Sequence, residues 1–126
     1  MLLRVYLALA GWAFLVSAVL QVLLPRFTGE HSHWGVAAGW QREIGLWNLG
    51  MLVVVNRAVR KHGPAAQRDV ALALVCLSML LGANHVAALV TAGFAPLHVN
   101  GVAVNLIGVV LGIVAIRSAR PAREAA

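Results

Sequence analysis

The sequence predicts an all-α integral membrane protein, a bundle of four spanning helices that run up, down, up and down. Hydrophobic residues make up 61% of the 126 residues and charged residues only 11%, and the mean hydropathy is +0.85. Such a composition is typical of membrane proteins. Four apolar stretches occupy most of the length and leave no room for a separate soluble domain, so we expect residues 1–126 to form a single transmembrane domain.

The basic residues support this class. The net charge of +6 would suit a nucleic-acid-binding protein, but Lys and Arg lie in short segments between the apolar runs. A membrane protein that obeys the positive-inside rule distributes its charge in this way, so we expect no nucleic-acid partner. Cys76 is the single cysteine, which excludes a disulfide within the chain.

The first span is predicted at about residues 3–24, with Arg4 at its start and Pro25 directly after its end. A signal peptide is the alternative interpretation. The apolar run of about 20 residues is longer than a usual signal core, and LLPRF offers no small-x-small cleavage pattern, so we expect a retained helix. Residues 25–35 contain Pro, Gly, Thr and Ser and are predicted to be a loop, with Trp34 as an interfacial aromatic.

The second span is irregular. The uncharged run 44–55 is too short to cross about 30 Å of hydrocarbon at about 1.5 Å per residue. Extension to about residues 36–55 restores the length and brings Arg42 and Glu43 inside the span. A re-entrant or interfacial segment is the alternative, but an even number of spans fits the charge distribution better. An ionisable residue inside a span indicates a functional site.

The third and fourth spans are predicted at about 70–93 and 97–116, after a basic loop at 56–69. On one side of the membrane lie Arg4, the basic residues of that loop and those of the tail, eight in total, against Arg26 and Arg42 on the other. The positive-inside rule then predicts a protein of the cell membrane with both termini cytoplasmic.

Four polar residues on four helices fall at one depth. Counted from the outer end of each predicted span, Glu43, His85, Asn105 and Ser17 all lie roughly 10–12 Å below the hydrocarbon surface. Such groups should face the bundle interior and form hydrogen bonds with one another. We expect Glu43 and His85 to form a catalytic pair. The ligand-binding residues expected around it are Trp40, Trp47, Asn48, Asn84, His98 and Asn105.

No metal or other cofactor is expected. Residues 30–33, Glu-His-Ser-His, resemble a metal-binding pattern, but a solvated loop is the better interpretation of an isolated His-x-His. Glu43, His85 and His98 could in principle complete a three-ligand metal site, but no spacing signature for zinc, copper or iron supports one. Nucleotide-binding, nucleophile-elbow and paired-cysteine motifs are also missing from the sequence.

The opening LLRVYLALAGWAFLVSAVLQVLLP looks like the arginine-led first helix, ending at a proline, of the DoxX-like group of small bacterial membrane proteins. The segments REIGLWNLGML, LGANHVAAL and HVNGVAVNLIGVVLG are similar to uncharacterised relatives in that group. The resemblance implies a compact four-helix membrane bundle. Many members have no assigned activity, and some are linked to thiol or quinone redox chemistry; the single Cys76 argues against thiol chemistry here.

Three function classes follow. The first is a binding or accessory protein whose polar site, open to the outer side, takes a small or lipidic ligand. The second is a membrane enzyme acting on an isoprenoid, quinone or lipid, with Glu43 as general acid or base and His85 relaying the proton. The third is a proton-coupled transporter or channel subunit. The expected partners are membrane lipid and a hydrophobic small molecule, and the oligomeric state, monomer or homo-oligomer, stays open.

Overall fold

The computed structural model describes residues 1–61 and 63–119 and is helical along most of them. No strand occurs among these residues, which confirms the all-α class. Three of the helices are long and apolar enough to cross a membrane, which supports a membrane protein. The elements in chain order are α1 (Leu2–Leu23), α2 (Pro25–Glu30), α3 (Ala38–Lys61), α4 (Pro64–Ala92) and α5 (Pro96–Ser118).

α3 is the long helix outside that set of three. It has 24 residues, enough to cross the hydrocarbon by length. Its composition differs from that of α1, α4 and α5, because Arg42 and Glu43 lie near its start and Arg57, Arg60 and Lys61 near its end. The structure therefore leaves a four-helix up-down bundle as a prediction and establishes three apolar helices beside one charged amphipathic helix.

Prolines set the beginnings of three helices. Pro25, Pro64 and Pro96 each lie in the first turn of α2, α4 or α5, where the missing N–H has no intrahelical acceptor to lose. The predicted loop at 25–35 is wrong in its first half, because Pro25–Glu30 form a helix. The predicted loop at 56–69 is mostly helical too, because its alanine, arginine, lysine and glutamine are good helix formers. Residues 120–126, the end of the predicted basic tail, lie outside the described residues.

The four long helices pack as two antiparallel pairs. α3 packs mainly on α1 and α5 mainly on α4. Glycines let the backbones approach closely: Gly11 of α1 faces Val55, and Gly45 of α3 faces the Ala18 carbonyl. In the other pair Gly108 of α5 faces Ser78 of α4. Small residues serve the same purpose at many membrane helix interfaces.

The two pairs meet in an apolar core near the start of α1. Its members are Leu3, Tyr6, Leu7, Val55, Ala58, Ala71, Leu74, Val75 and Ala115. A buried hydrogen bond ties α3 to α4 there, since Gln67 Nε2 donates to the Ala58 carbonyl at 3.0 Å. We call this the core end of the molecule. The opposite end, which carries residues 24–37 and the turn 93–95, is called the loop end.

Candidate functional site

A group of histidines joins three segments at the loop end. His33 follows α2, His85 belongs to α4, and His98 lies in the first turn of α5. The His33 backbone N–H donates to His98 Nε2 at 3.1 Å, and His98 Nδ1 lies 3.0 Å from His85 Nδ1. The Trp34 ring covers both, with centroids 5.1 Å from His85 and 4.6 Å from His98. We call these four residues the histidine latch.

The hydrogen bonds fix which ring nitrogens carry protons. His98 Nε2 accepts from a backbone N–H, so it carries no proton, and a neutral His98 must be protonated at Nδ1. That proton is donated to His85 Nδ1, which places the proton of a neutral His85 on Nε2. His98 has no exposed surface. Both rings are therefore held neutral and in defined tautomers by their neighbours.

Two further bonds attach the segment after α2 to the turn between α4 and α5. His33 Nε2 donates to the Gly93 carbonyl at 3.0 Å, and the Leu97 N–H donates to the His31 carbonyl at 3.2 Å. Gly93 ends α4 with φ +93°, a conformation that favours glycine. The loop end is thus closed by backbone as well as by side-chain contacts.

The His85 ring packs against Gly101 of α5. A Cβ at this position would come within 2.5 Å of the His85 ring. The imidazole therefore lies directly against the α5 backbone, one turn after His98. The missing Cβ of Gly101 therefore leaves the room that His85 occupies when it pairs with His98.

Gln41 sets the start of α3. Its side chain is buried, and its Nε2 donates to the Pro25 carbonyl at 2.8 Å and to Thr28 Oγ1 at 2.7 Å. Its Oε1 accepts the Ala37 N–H at 3.1 Å. α2 is thereby clamped to the first turn of α3, which fixes the orientation of the residues that follow.

The expected single polar layer is divided between the helix pairs. Asn48 Nδ2 donates to Ser17 Oγ at 2.8 Å between α3 and α1, while His85 and His98 pair between α4 and α5. Asn105 Nδ2 donates to the Gly101 carbonyl of its own helix at 2.7 Å. Each of these side chains bonds to a partner other than Glu43.

Glu43 is not brought to His85. α3 packs its Gln41 and Gly45 side inward, which turns Glu43 to the exposed side. Within the described ranges Glu43 has no hydrogen bond or ion pair. The adjacent Arg42 donates from Nε to its own helix at the Ala38 carbonyl, at 3.3 Å.

Two tryptophans flank Glu43 on the same face of α3. Trp40 is 65% exposed and Trp47 is 75% exposed. With 3.6 residues per turn, positions 40, 43 and 47 lie within one stripe, separated by about 4.5 Å and about 6 Å along the axis. We call these three residues the Trp-Glu-Trp surface. Asn84, the remaining predicted ligand-binding residue, is exposed on α4.

Sequence reasoning missed the parts played by His33, Trp34 and Gln41. The sequence pattern predicts a solvated loop for His33 and an interfacial position for Trp34. The available signal was the position of His98 immediately after the second outer turn, at the same end of the molecule as the His-x-His segment. No group of three or more His, Cys, Asp or Glu among the described residues could hold a metal ion.

The fold and these contacts define a helical membrane protein with a latched loop end and an exposed aromatic–acidic surface. No family model matches the chain, and no curated protein or solved structure matches it either. The DoxX-like resemblance stays a prediction.

Acid is expected to open the latch. Protonation of His98 at Nε2 removes the acceptor of the His33 N–H, and protonation of His85 at Nδ1 removes the acceptor of His98. The open form, with free imidazoles, binds more protons than the closed form, so the closed form loses stability as pH falls through the ordinary histidine range.

The measurement is hydrogen exchange from about pH 8 to about pH 5, corrected for the intrinsic rate. The protection factor of the His33 amide should fall with pH. The Ala37 amide is the control because its acceptor, Gln41 Oε1, does not titrate in this range. Parallel loss of protection at both amides would contradict a histidine-specific effect.

Proposed function

We propose that the chain is a four-helix, multi-pass protein of the cell membrane that binds a small or lipidic ligand on the outer half of α3. In this proposal α3 is the fourth spanning helix, the helices run up, down, up and down, and both termini are cytoplasmic. The distribution of the described basic residues supports this orientation. Arg26 and Arg42 belong to the loop end, and the core end has Arg4, Arg57, Arg60, Lys61, Arg68 and Arg117.

The observation that carries the binding proposal is the exposed carboxylate of Glu43, which has no partner among the described residues and lies between two exposed tryptophans. A polar group facing hydrocarbon is costly, so a carboxylate retained there indicates a partner from outside the chain. Large aromatic faces beside it supply the apolar contact area that a lipidic ligand needs.

Binding is favoured over acid–base catalysis by the engagement of His85. A Glu43–His85 catalytic pair requires both groups within hydrogen-bond reach of one substrate. His85 Nδ1 is instead paired with His98 beneath Trp34, and Glu43 lies on the exposed side of another helix. The latch then serves to hold the loop end and the start of α3 in place for the ligand.

Native purification followed by mass spectrometry of bound lipid tests this function. We expect the wild-type protein to retain a ligand that Glu43→Gln loses. Glu30→Gln is the matched control, because Glu30 is also an exposed glutamate but belongs to α2 and not to the stripe of α3 that carries Trp40 and Trp47. Equal ligand retention in all three proteins would contradict a site at Glu43.

A further inference from the structure

We propose that the ligand of the Trp-Glu-Trp surface carries an organic cation, a quaternary ammonium or comparable onium group, attached to an apolar body. This inference rests on the proposed function and names its ligand class. The cation would lie against the Glu43 carboxylate with the indole faces of Trp40 and Trp47 beside it.

The two side-chain types together select for positive charge. A cation over an indole face is attracted by the ring quadrupole, and tryptophan is the best aromatic for this interaction. Organic ammonium ions are commonly recognised by aromatic side chains in this way. The carboxylate adds a negative charge between the rings, since positions 40, 43 and 47 lie within one stripe of α3.

Glu43 forms no ion pair within the described part of the chain. Arg42, the neighbouring cation, bonds from Nε to the Ala38 carbonyl of its own helix. A neutral ligand would leave the carboxylate unpaired at membrane depth, and an anionic ligand would be repelled by it. A cation is therefore the complement that satisfies Glu43.

An inorganic cation fits poorly. Calcium takes six to eight oxygen ligands and magnesium needs octahedral coordination. Among the described residues no cluster of three metal-ligating side chains occurs, at Glu43 or elsewhere. The neighbouring Leu46, 62% exposed, extends the surface with apolar area. One carboxylate amid exposed apolar side chains suits an amphiphilic organic cation.

The hydrogen bonds of Gln41 hold the Trp-Glu-Trp surface in one orientation. Gln41, between Trp40 and Arg42, is buried and bonded to Pro25, Thr28 and Ala37. This clamp fixes the rotation of α3 about its axis at the level of Glu43. A prepositioned site loses less conformational entropy when the ligand binds.

Tetraphenylphosphonium and tetraphenylborate test the charge preference, because they share one shape and carry opposite charges. Binding is measured by calorimetry on the full chain in neutral detergent. We expect wild type to bind the phosphonium at least about tenfold more tightly than the borate. Glu43→Gln should weaken phosphonium binding about tenfold, and Trp47→Leu about threefold to tenfold. Trp12→Leu is the control, because Trp12 is 65% exposed but lies on α1, and should leave binding unchanged.

Folding of each variant is checked by the hydrogen-exchange protection of the His33 amide, which reports the latch. Equal affinity for both ions, or an unaltered affinity in folded Glu43→Gln, would overturn the cation proposal. If purified ligand still depends on Glu43 in that case, the binding function stands and only the ligand class fails. Loss of a wild-type dimer in Glu43→Gln, with no phosphonium binding, would assign the surface to a second copy of the chain and also overturn the proposal.

Discussion

His98→Ala is expected to lower the free energy of unfolding by about 3 kcal/mol. The imidazole has no exposed surface, so its removal leaves a cavity. It also leaves the His33 N–H without its acceptor and His85 Nδ1 without its donor. The measurement is equilibrium unfolding of the purified protein in mixed micelles, with increasing fractions of a denaturing detergent.

His31→Ala is the matched control. Its ring is exposed and bonds only within its own segment, through Nδ1 to the Phe27 carbonyl at 2.8 Å. The His31 carbonyl that accepts the Leu97 N–H is retained in alanine. We expect a change within about 0.5 kcal/mol. A similar loss in both variants would show that the latch contributes no more than any loop-end side chain.

The helices of the fold could be predicted because their apolar residues form long runs. α1, α4 and α5 were recognisable from hydropathy and from the prolines near their ends, and the structure confirms them as membrane-capable helices. α2 was missed because a six-residue helix beginning at Pro25 and containing Gly29 has too few apolar positions for a helical period. The number of spans and their orientation stay predictions.

The lateral arrangement of the candidate site could not be predicted from the sequence. Counting residues from helix ends gives only an approximate height for a side chain: it puts His85 level with Asn105, whereas the structure brings His85 to Gly101 and Asn105 to Gly82. It does not say which helix is the neighbour. That is decided by close approaches such as Gly45 to α1 and Gly101 to His85. Because α3 pairs with α1 through its Gly45 side, Glu43 faces outward and His85 meets His98.

Loop residues gave the weakest signal. His33 and Trp34 are polar or amphipathic and carry no periodicity, so solvent and the membrane interface were their expected surroundings. Their contacts depend on a turn between α4 and α5 that is 60 residues further along the chain at Gly93. Such long-range contacts depend on the packing of the helices that bring the two ends together.

Gly101→Ala is expected to destabilise the folded protein by about 1–3 kcal/mol. The added methyl group would overlap the His85 ring. That ring cannot withdraw freely, because its Nδ1 is bonded to His98 and Trp34 lies over it. Equilibrium unfolding gives the size of the effect, and loss of His33 amide protection at neutral pH shows that the latch has been displaced.

Gly50→Ala is the matched control, since Gly50 is also inside a long helix but a Cβ there meets nothing within 4 Å. Alanine is the better helix former, so stability should stay the same or rise by up to about 1 kcal/mol. A double-mutant cycle identifies the cause of the stability loss in Gly101→Ala. If the clash with His85 is the source of the loss, Gly101→Ala should cost much less in a His85→Ala background. If Gly101→Ala lowers the free energy of unfolding equally in both backgrounds, the loss arises in the α5 backbone. Gly101 would then have no specific role in the latch.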